Sequence, residues 1–134
     1  MAAIRKSIVV DTSVAKVWDA ITDRAKLSSW YMETDDFEPT VGSRFQFRDE
    51  PQGKWDGKIQ GEVTEVREQE VLAYTFTGNQ MSYVTTVRWT LENLGEKTRV
   101  TIDHTGFEGF SGLLMKLIIQ FGWRKFLNRL VESL

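Results

Sequence analysis

The chain has 134 residues and a mass of 15.5 kDa, enough for one domain, residues 1–134, that buries roughly 70% of its unfolded surface. Seventeen Lys and Arg against 19 Asp and Glu give a net charge of −2, without the basic excess of a phosphate-backbone binder, so no nucleic-acid partner is expected. Zero Cys and one His exclude disulfides, thiolate chemistry, Cys-rich zinc sites and most His-rich metal sites.

Ile4 to Val10 reads as a first strand, with Ile4, Ile8 and Val10 on one parity and Lys6 as the exception. The stretch from Met1 lacks the long apolar segment and small-residue cleavage site of a secretory signal, so a cytoplasmic location is expected. The period then changes. Val14, Val17, Trp18 and Ile21 follow helical spacing, with Asp11, Thr12 and Ser13 as candidate N-caps. A second short helix starts at Asp23 and turns Leu27 and Trp30 inward, before an acidic, irregular stretch from Glu33 to Pro39.

From Arg44 to Gly106 the period is two, interrupted by turn chemistry at Pro51-Gln52-Gly53, Glu68 to Glu70, Gly78-Asn79 and Gly95-Glu96. This predicts an antiparallel meander with one apolar face: Phe45 and Phe47; Ile59, Gly61 and Val63; Leu72, Tyr74 and Phe76; Tyr83, Val87, Trp89 and Leu91; Val100, Ile102 and His104. Gly57 and Gly61 in one strand point to a bulge or strong curvature. Gly106 to Gly112 reads as a flexible connection that could gate a pocket. Helical period then runs to Leu134, with Trp123, Phe126, Leu127, Leu130, Val131 and Leu134 on one stripe. Extended backwards, the stripe meets Lys116 and Gln120, while Leu114, Leu117, Ile118 and Phe121 point the other way. Either the helix bends near Gly122 or two polar groups face inward. Lys116 and Gln120 also interrupt the apolar run Leu113 to Phe121, which falls short of the roughly 20 residues of a membrane span.

The order of strand, two short helices, meander and long helix predicts an α+β helix-grip fold, a curved antiparallel sheet wrapped around the C-terminal helix. The residues also resemble the START-like (SRPBCC) superfamily, and within it the bacterial homologues of the heat-shock-protein-90 ATPase activator. The resemblance is carried by Val17-Trp18 with Ala20-Ile21-Thr22-Asp23, Leu27 and Trp30, Val41-Gly42 leading to Phe45, Gly57 and Gly61 with Val63 and Glu65, Thr98-Arg99-Val100-Thr101, His104 with Gly106-Phe107, and Gly122-Trp123 with Leu127, Leu130 and Leu134. Ser43 stands where the family usually has a second Gly after Gly42. The resemblance implies a cavity between sheet and helix that in related proteins holds apolar small molecules, lipids or polyketide-like compounds, and it implies no fixed catalytic set; no cofactor is expected.

Three functions compete. The first is a binder of a hydrophobic or amphipathic small molecule, walled by Trp30, Tyr31, Phe47, Trp55, Tyr74, Phe76, Tyr83, Trp89 and Trp123, because aromatic walls with a few polar tips describe most such sites. A packed core has the same sequence signature, and Trp18 is assigned to it. The second is a chaperone-associated interaction protein, by analogy with the family. The third is a cyclase, dehydratase or hydrolase in which His104 works with Tyr74 or Tyr83. His104, on the inward parity, could orient a ligand or act as a base; the alternative is a buried His hydrogen-bonded to backbone or to an indole. Lys116 could meet a ligand's polar end. Glu33, Asp35, Asp36 and Glu38 could hold a hard cation, but lack ordered loop spacing and read better as a solvated loop at the pocket mouth. No nucleotide, zinc or nucleophile-elbow motif occurs, so neither catalytic nor metal-binding residues are assigned. An exposed patch of Leu114, Ile118 and Phe121 would make a homodimer contact.

Overall fold

The computed structural model describes residues 2–134, leaving Met1, with which the leader argument begins, outside the described residues. In chain order the elements are β1 (Ala2–Val10), α1 (Val14–Thr22), α2 (Arg24–Trp30), β2 (Glu33–Asp35), β3 (Arg44–Arg48), β4 (Lys58–Arg67), β5 (Val71–Phe76), β6 (Thr85–Asn93), β7 (Thr98–Phe107) and α3 (Gly109–Ser133). The strands form one antiparallel sheet in the order β1-β7-β6-β5-β4-β3-β2. β1 closes one edge against β7, with Ile4 opposite His104 and Ile8 opposite Val100. The chain then crosses to the other edge through α1 and α2.

Local chemistry makes that crossing abrupt. Ser13 caps α1 by accepting from the Lys16 amide, and Asp23 caps α2 by accepting from the Lys26 amide at 3.1 Å while its own amide donates to Asp19. One residue thus ends one helix and begins the next, because a side-chain carboxylate satisfies an amide that would otherwise lack a partner. Val14, Val17, Trp18, Ile21, Leu27 and Trp30 are all buried as the helical spacing predicts.

The acidic stretch is less irregular than its composition suggests. Glu33 to Asp35 form β2, and Arg48 of β3 grips Asp35 with Nε at 2.6 Å and Nη2 at 3.1 Å. This two-pronged bond holds the Asp35 carboxyl below its ordinary range. Among the described residues no three His, Asp or Glu side chains converge.

β4 carries the predicted irregularity. Its first half pairs with β3, its second half with β5, and the register shifts between Val63 and Glu65. There the Thr75 hydroxyl takes the Glu62 amide at 2.8 Å, replacing a ladder bond. A Cβ at Gly61 would stand 2.1 Å from the Thr75 carbonyl oxygen and 2.5 Å from Phe45 Cζ. Glycine is therefore required by close approach. Gly57 precedes the strand at φ +82°, where a Cβ would lie 2.2 Å from the Asp49 carbonyl oxygen.

Three expectations at the other end are corrected. Tyr83 lies in the turn before β6 rather than in the strand, half-buried near the start of α3. The Gly106 to Gly112 segment is no flexible loop: β7 runs to Phe107, α3 begins at Gly109, and Glu108 alone connects them. A Cβ at Gly112 would meet Phe107 backbone at 3.0 Å and the Tyr83 hydroxyl at 3.2 Å, so the first helical turn is seated directly on the strand end. Val131 is exposed, on the solvent edge of a stripe whose buried centre is Trp123, Leu127 and Leu130.

α3 runs unbroken through Gly122. Lys116 and Gln120 are half-buried, flanking Met115 and Ile119, which pack against the core, while Leu114, Leu117, Ile118 and Phe121 face outward. The core-facing positions of this stretch are thus Met115 and Ile119, and the expected inward-facing pair of Lys116 and Gln120 is corrected to a half-buried flank. No helix among the described residues is long and apolar enough to cross a membrane.

Candidate functional site

Around Trp123 of α3 the aromatic side chains fill the space themselves. Tyr31 stacks on Trp123 at 5.8 Å and 13°, Trp89 meets Trp123 edge-on at 5.7 Å, and Trp30 meets Trp89 edge-on at 6.2 Å. Phe47 packs against Tyr31 at 5.0 Å and Tyr74 at 6.0 Å. The polar tips are paired as well, since Trp30 Nε1 donates to the Ala20 carbonyl at 2.8 Å and Trp89 Nε1 to the Tyr74 hydroxyl at 3.1 Å. Burial pushes the Tyr74 phenol up, with the Trp89 bond offsetting part of the effect. This is a packed, polar-satisfied core.

His104 belongs to it. Trp123 Nε1–H donates to His104 Nδ1 at 2.9 Å, so Nδ1 carries the lone pair and the ring proton sits on Nε2, 2.8 Å from Thr85 Oγ1. The Thr85 hydroxyl in turn donates to the Phe76 carbonyl at 2.6 Å. The side chain has no exposure, and burial lowers its pKa to about 3. With both nitrogens engaged and the ring neutral near pH 7, His104 has no free site for base catalysis. The proposed partnership with Tyr74 or Tyr83 does not form, and the hydrogen bond to an indole is the arrangement found.

Open space lies instead beside the middle of α3, from Met115 to Phe126. Two abutting lobes, about 290 and 240 Å3, share Gln52, Trp55, Phe76, Ile118 and Ile119 as walls and so make one cleft. The first lobe adds Ile59, Met81 and Met115, with Lys54 and Gln80 at the rim; the second adds Tyr31, Met32, Trp123 and Phe126, with Asp49 and Lys125. The β3–β4 connection is braced across it: Asn79 Nδ2 and Gln80 Nε2 both donate to the Lys54 carbonyl, at 2.8 and 3.0 Å. Trp55 Nε1 donates to the Lys58 carbonyl at 3.2 Å, fixing the indole as a wall. The Tyr31 phenol is pushed well up, by burial first and by Tyr74 and Asp49 second, so it remains un-ionised.

Of the residues predicted to contact a ligand, Tyr31, Trp55, Phe76 and Trp123 line this cleft. Trp30, Phe47, Tyr74, Trp89 and His104 are in the core behind it, and Tyr83 and Lys116 lie outside its lining. Glu33, Asp35, Asp36 and Glu38 are not at its mouth either; the rim charges are Asp49, Lys54 and Lys125. Sequence reasoning missed Met81, Met115 and Ile119. The signal for the last two was present, because stepping back from Trp123 by four gives Ile119 and then Met115, whereas a seven-residue step gives Lys116. The line along which a helix meets a twisted sheet shifts along its length, and here the four-residue path is the one that reaches the core.

Solved structures share this architecture along the whole chain. Protein MLL2253 from Mesorhizobium loti superposes with a TM-score of 0.85 at 23% identity, covering 98% of this chain and 96% of that one. The Aha1 dimer from Colwellia psychrerythraea gives 0.81 at 22%, covering 100% and 96%. DynU16, from the dynemicin biosynthetic locus, gives 0.79 at 24%, covering 97% of this chain, which spans about half, 46%, of that protein. No curated protein sequence matches the chain. At these identities the likeness is one of fold, but the sequence profile described as Activator of Hsp90 ATPase homolog 1-like protein matches residues 11–134. That span runs from the cap before α1 to the last residue of the chain, and with the helix-grip architecture it places the protein in the Activator of Hsp90 ATPase homolog 1-like family.

Proposed function

We propose that the protein binds an apolar or amphipathic small molecule in the cleft between the middle of α3 and the β3–β4 and β5–β6 connections. The observation that carries this reading is an unfilled, two-lobed apolar cleft beside a core in which Trp30, Phe47, Tyr74 and Trp89 are buried and packed against one another and their neighbours. Its walls combine rigid aromatics, Trp55 and Phe76, with Met81 and Met115, whose flexible thioethers adapt to irregular shapes. Lys54 sits at the rim of the first lobe, which has no carboxylate lining it, whereas Lys125 in the second lobe is accompanied by Asp49. An anionic head at the Lys54 end with its apolar body along Trp55, Phe76 and Met115 is the orientation these charges favour. The absence of a free base at His104 directs the reading toward binding rather than turnover.

The naphthalene sulfonate dye 1-anilinonaphthalene-8-sulfonate has this chemistry and reports its own binding by fluorescence. It is expected to saturate one site per chain. Met115→Arg, which puts a charged chain into the first lobe from a half-buried helical position, is expected to weaken binding by at least about tenfold while leaving the unfolding midpoint within a few degrees. Unchanged affinity in a folded Met115→Arg protein would contradict the assignment of the cleft.

A further inference from the structure

Six apolar side chains on the first turns of α3 face away from the sheet: Phe110, Leu113, Leu114, Leu117, Ile118 and Phe121, between 46% and 77% exposed. Lys116 is the one charged residue between Gly109 and Gly122, and it lies on the half-buried inner flank. A contiguous apolar face of this kind needs a cover. Two observations indicate which. The spacing of the six, 3-1-3-1-3, reads the same in both directions, and so nearly do the residue types, Phe-Leu-Leu followed by Leu-Ile-Phe, about a midpoint between Met115 and Lys116. An antiparallel two-fold pairing lays the patch against its own reverse, so this spacing sets an apolar side chain against an apolar side chain at all six positions, with no charge left between them. The six side chains also expose on the order of 700 Å2 per chain, close to the ~800 Å2 per partner of a standard stable interface.

We propose that two copies of the chain pair through α3, antiparallel and about a two-fold axis, with Phe110 of one copy against Phe121 of the other and Leu114 against Leu117. These four positions have the 4-3-4 spacing of a coiled-coil seam. Ile118 belongs both to this face and to the walls of both cleft lobes, so the second copy covers the outer side of the cleft. That consequence rests on the cleft being a binding site; the pairing itself does not.

The natural chain has no Cys, so single cysteines report the register cleanly. In the proposed pairing positions 110 and 121 of opposite copies are adjacent, whereas 110 and its own symmetry mate are about 16 Å apart along the helices, beyond disulfide reach. Mild oxidation of mixed Phe110→Cys and Phe121→Cys proteins, distinguished by a mass tag, is expected to give the mixed dimer, and either protein alone to remain uncross-linked. Light scattering of the unaltered chain at micromolar concentration is expected to give twice 15.5 kDa, and Leu117→Arg, an exposed position, to give the monomer mass with an unchanged circular dichroism spectrum. A monomeric mass for the unaltered chain overturns the proposal, whether or not the protein then floats with anionic vesicles. Equal cross-linking of each single variant with itself overturns the register. Dye binding is measured separately, so failure of the dimer leaves the cleft reading standing, and failure of the cleft leaves the dimer.

Discussion

Replacing His104 by Gln is expected to lower the unfolding free energy by roughly 3 kcal/mol near neutral pH, and the deficit is expected to shrink as the solution is acidified. The first effect follows from the chain of bonds that runs from the Trp123 indole through both ring nitrogens to Thr85 and the Phe76 carbonyl. Breaking it leaves buried donors short of partners, which costs about 1–3 kcal/mol each. The second follows from proton linkage. In the unfolded chain the ring titrates at about 6.5, in the native chain at about 3. Between those values the unfolded state holds a proton that the native state does not. Wild-type stability therefore falls as pH drops through this window, by up to ~1.4 kcal/mol per unit, and above it His104 contributes no pH dependence. Gln does not titrate. The gap between the two proteins should close by roughly 2–3 kcal/mol by about pH 4.5, since the carboxylates titrate alike in both. Urea unfolding at both pH values measures it, and a constant gap would contradict the neutral, doubly engaged ring.

Gly61→Ala carries the other large effect. The added methyl carbon would lie 2.1 Å from a backbone oxygen of β5 and 2.5 Å from the Phe45 ring, and the oxygen cannot retreat without breaking the register that β4 changes at this point. A loss of roughly 3–4 kcal/mol is expected, or a fall in Tm on the order of 10 °C for a domain of this size. Gly122→Ala is the control: a Cβ there meets nothing within 4 Å, so the helix should gain up to about 1 kcal/mol. Thermal unfolding followed by circular dichroism separates the two, and a Gly61→Ala midpoint within a few degrees of wild type would refute the close-approach argument.

The framework was legible because it is written in local chemistry. Ser13 and Asp23 mark the helix starts, the period-two stretches give every paired strand from β3 to β7, and Gly57 and Gly61 mark the curvature. β2 was not, since three residues stabilised by a side-chain clamp between Asp35 and Arg48 leave no period to read. The site was legible only in part for a different reason. Parity along a strand says that Phe47, Tyr74 and Trp89 point inward, but whether they line a cavity or close it depends on how the rings meet. Here Tyr31, Trp123 and Trp30 complete the packing. The cleft opens farther along, where Met81 comes from a connection with no periodic signal and Met115 and Ile119 from a helix face that shifts along its length.

The four methionines allow the central claim to be tested without perturbing the protein. With 13C-labelled methyl groups, titration with 1-anilinonaphthalene-8-sulfonate should move the Met81 and Met115 resonances first, as both line the first lobe, with a smaller response from Met32 in the second. Saturable shifts at Met81 and Met115 with one common dissociation constant are the predicted result. Dye fluorescence that rises while neither methyl moves would place the dye on another surface, such as the outward face of α3, and would contradict the cleft as the binding site.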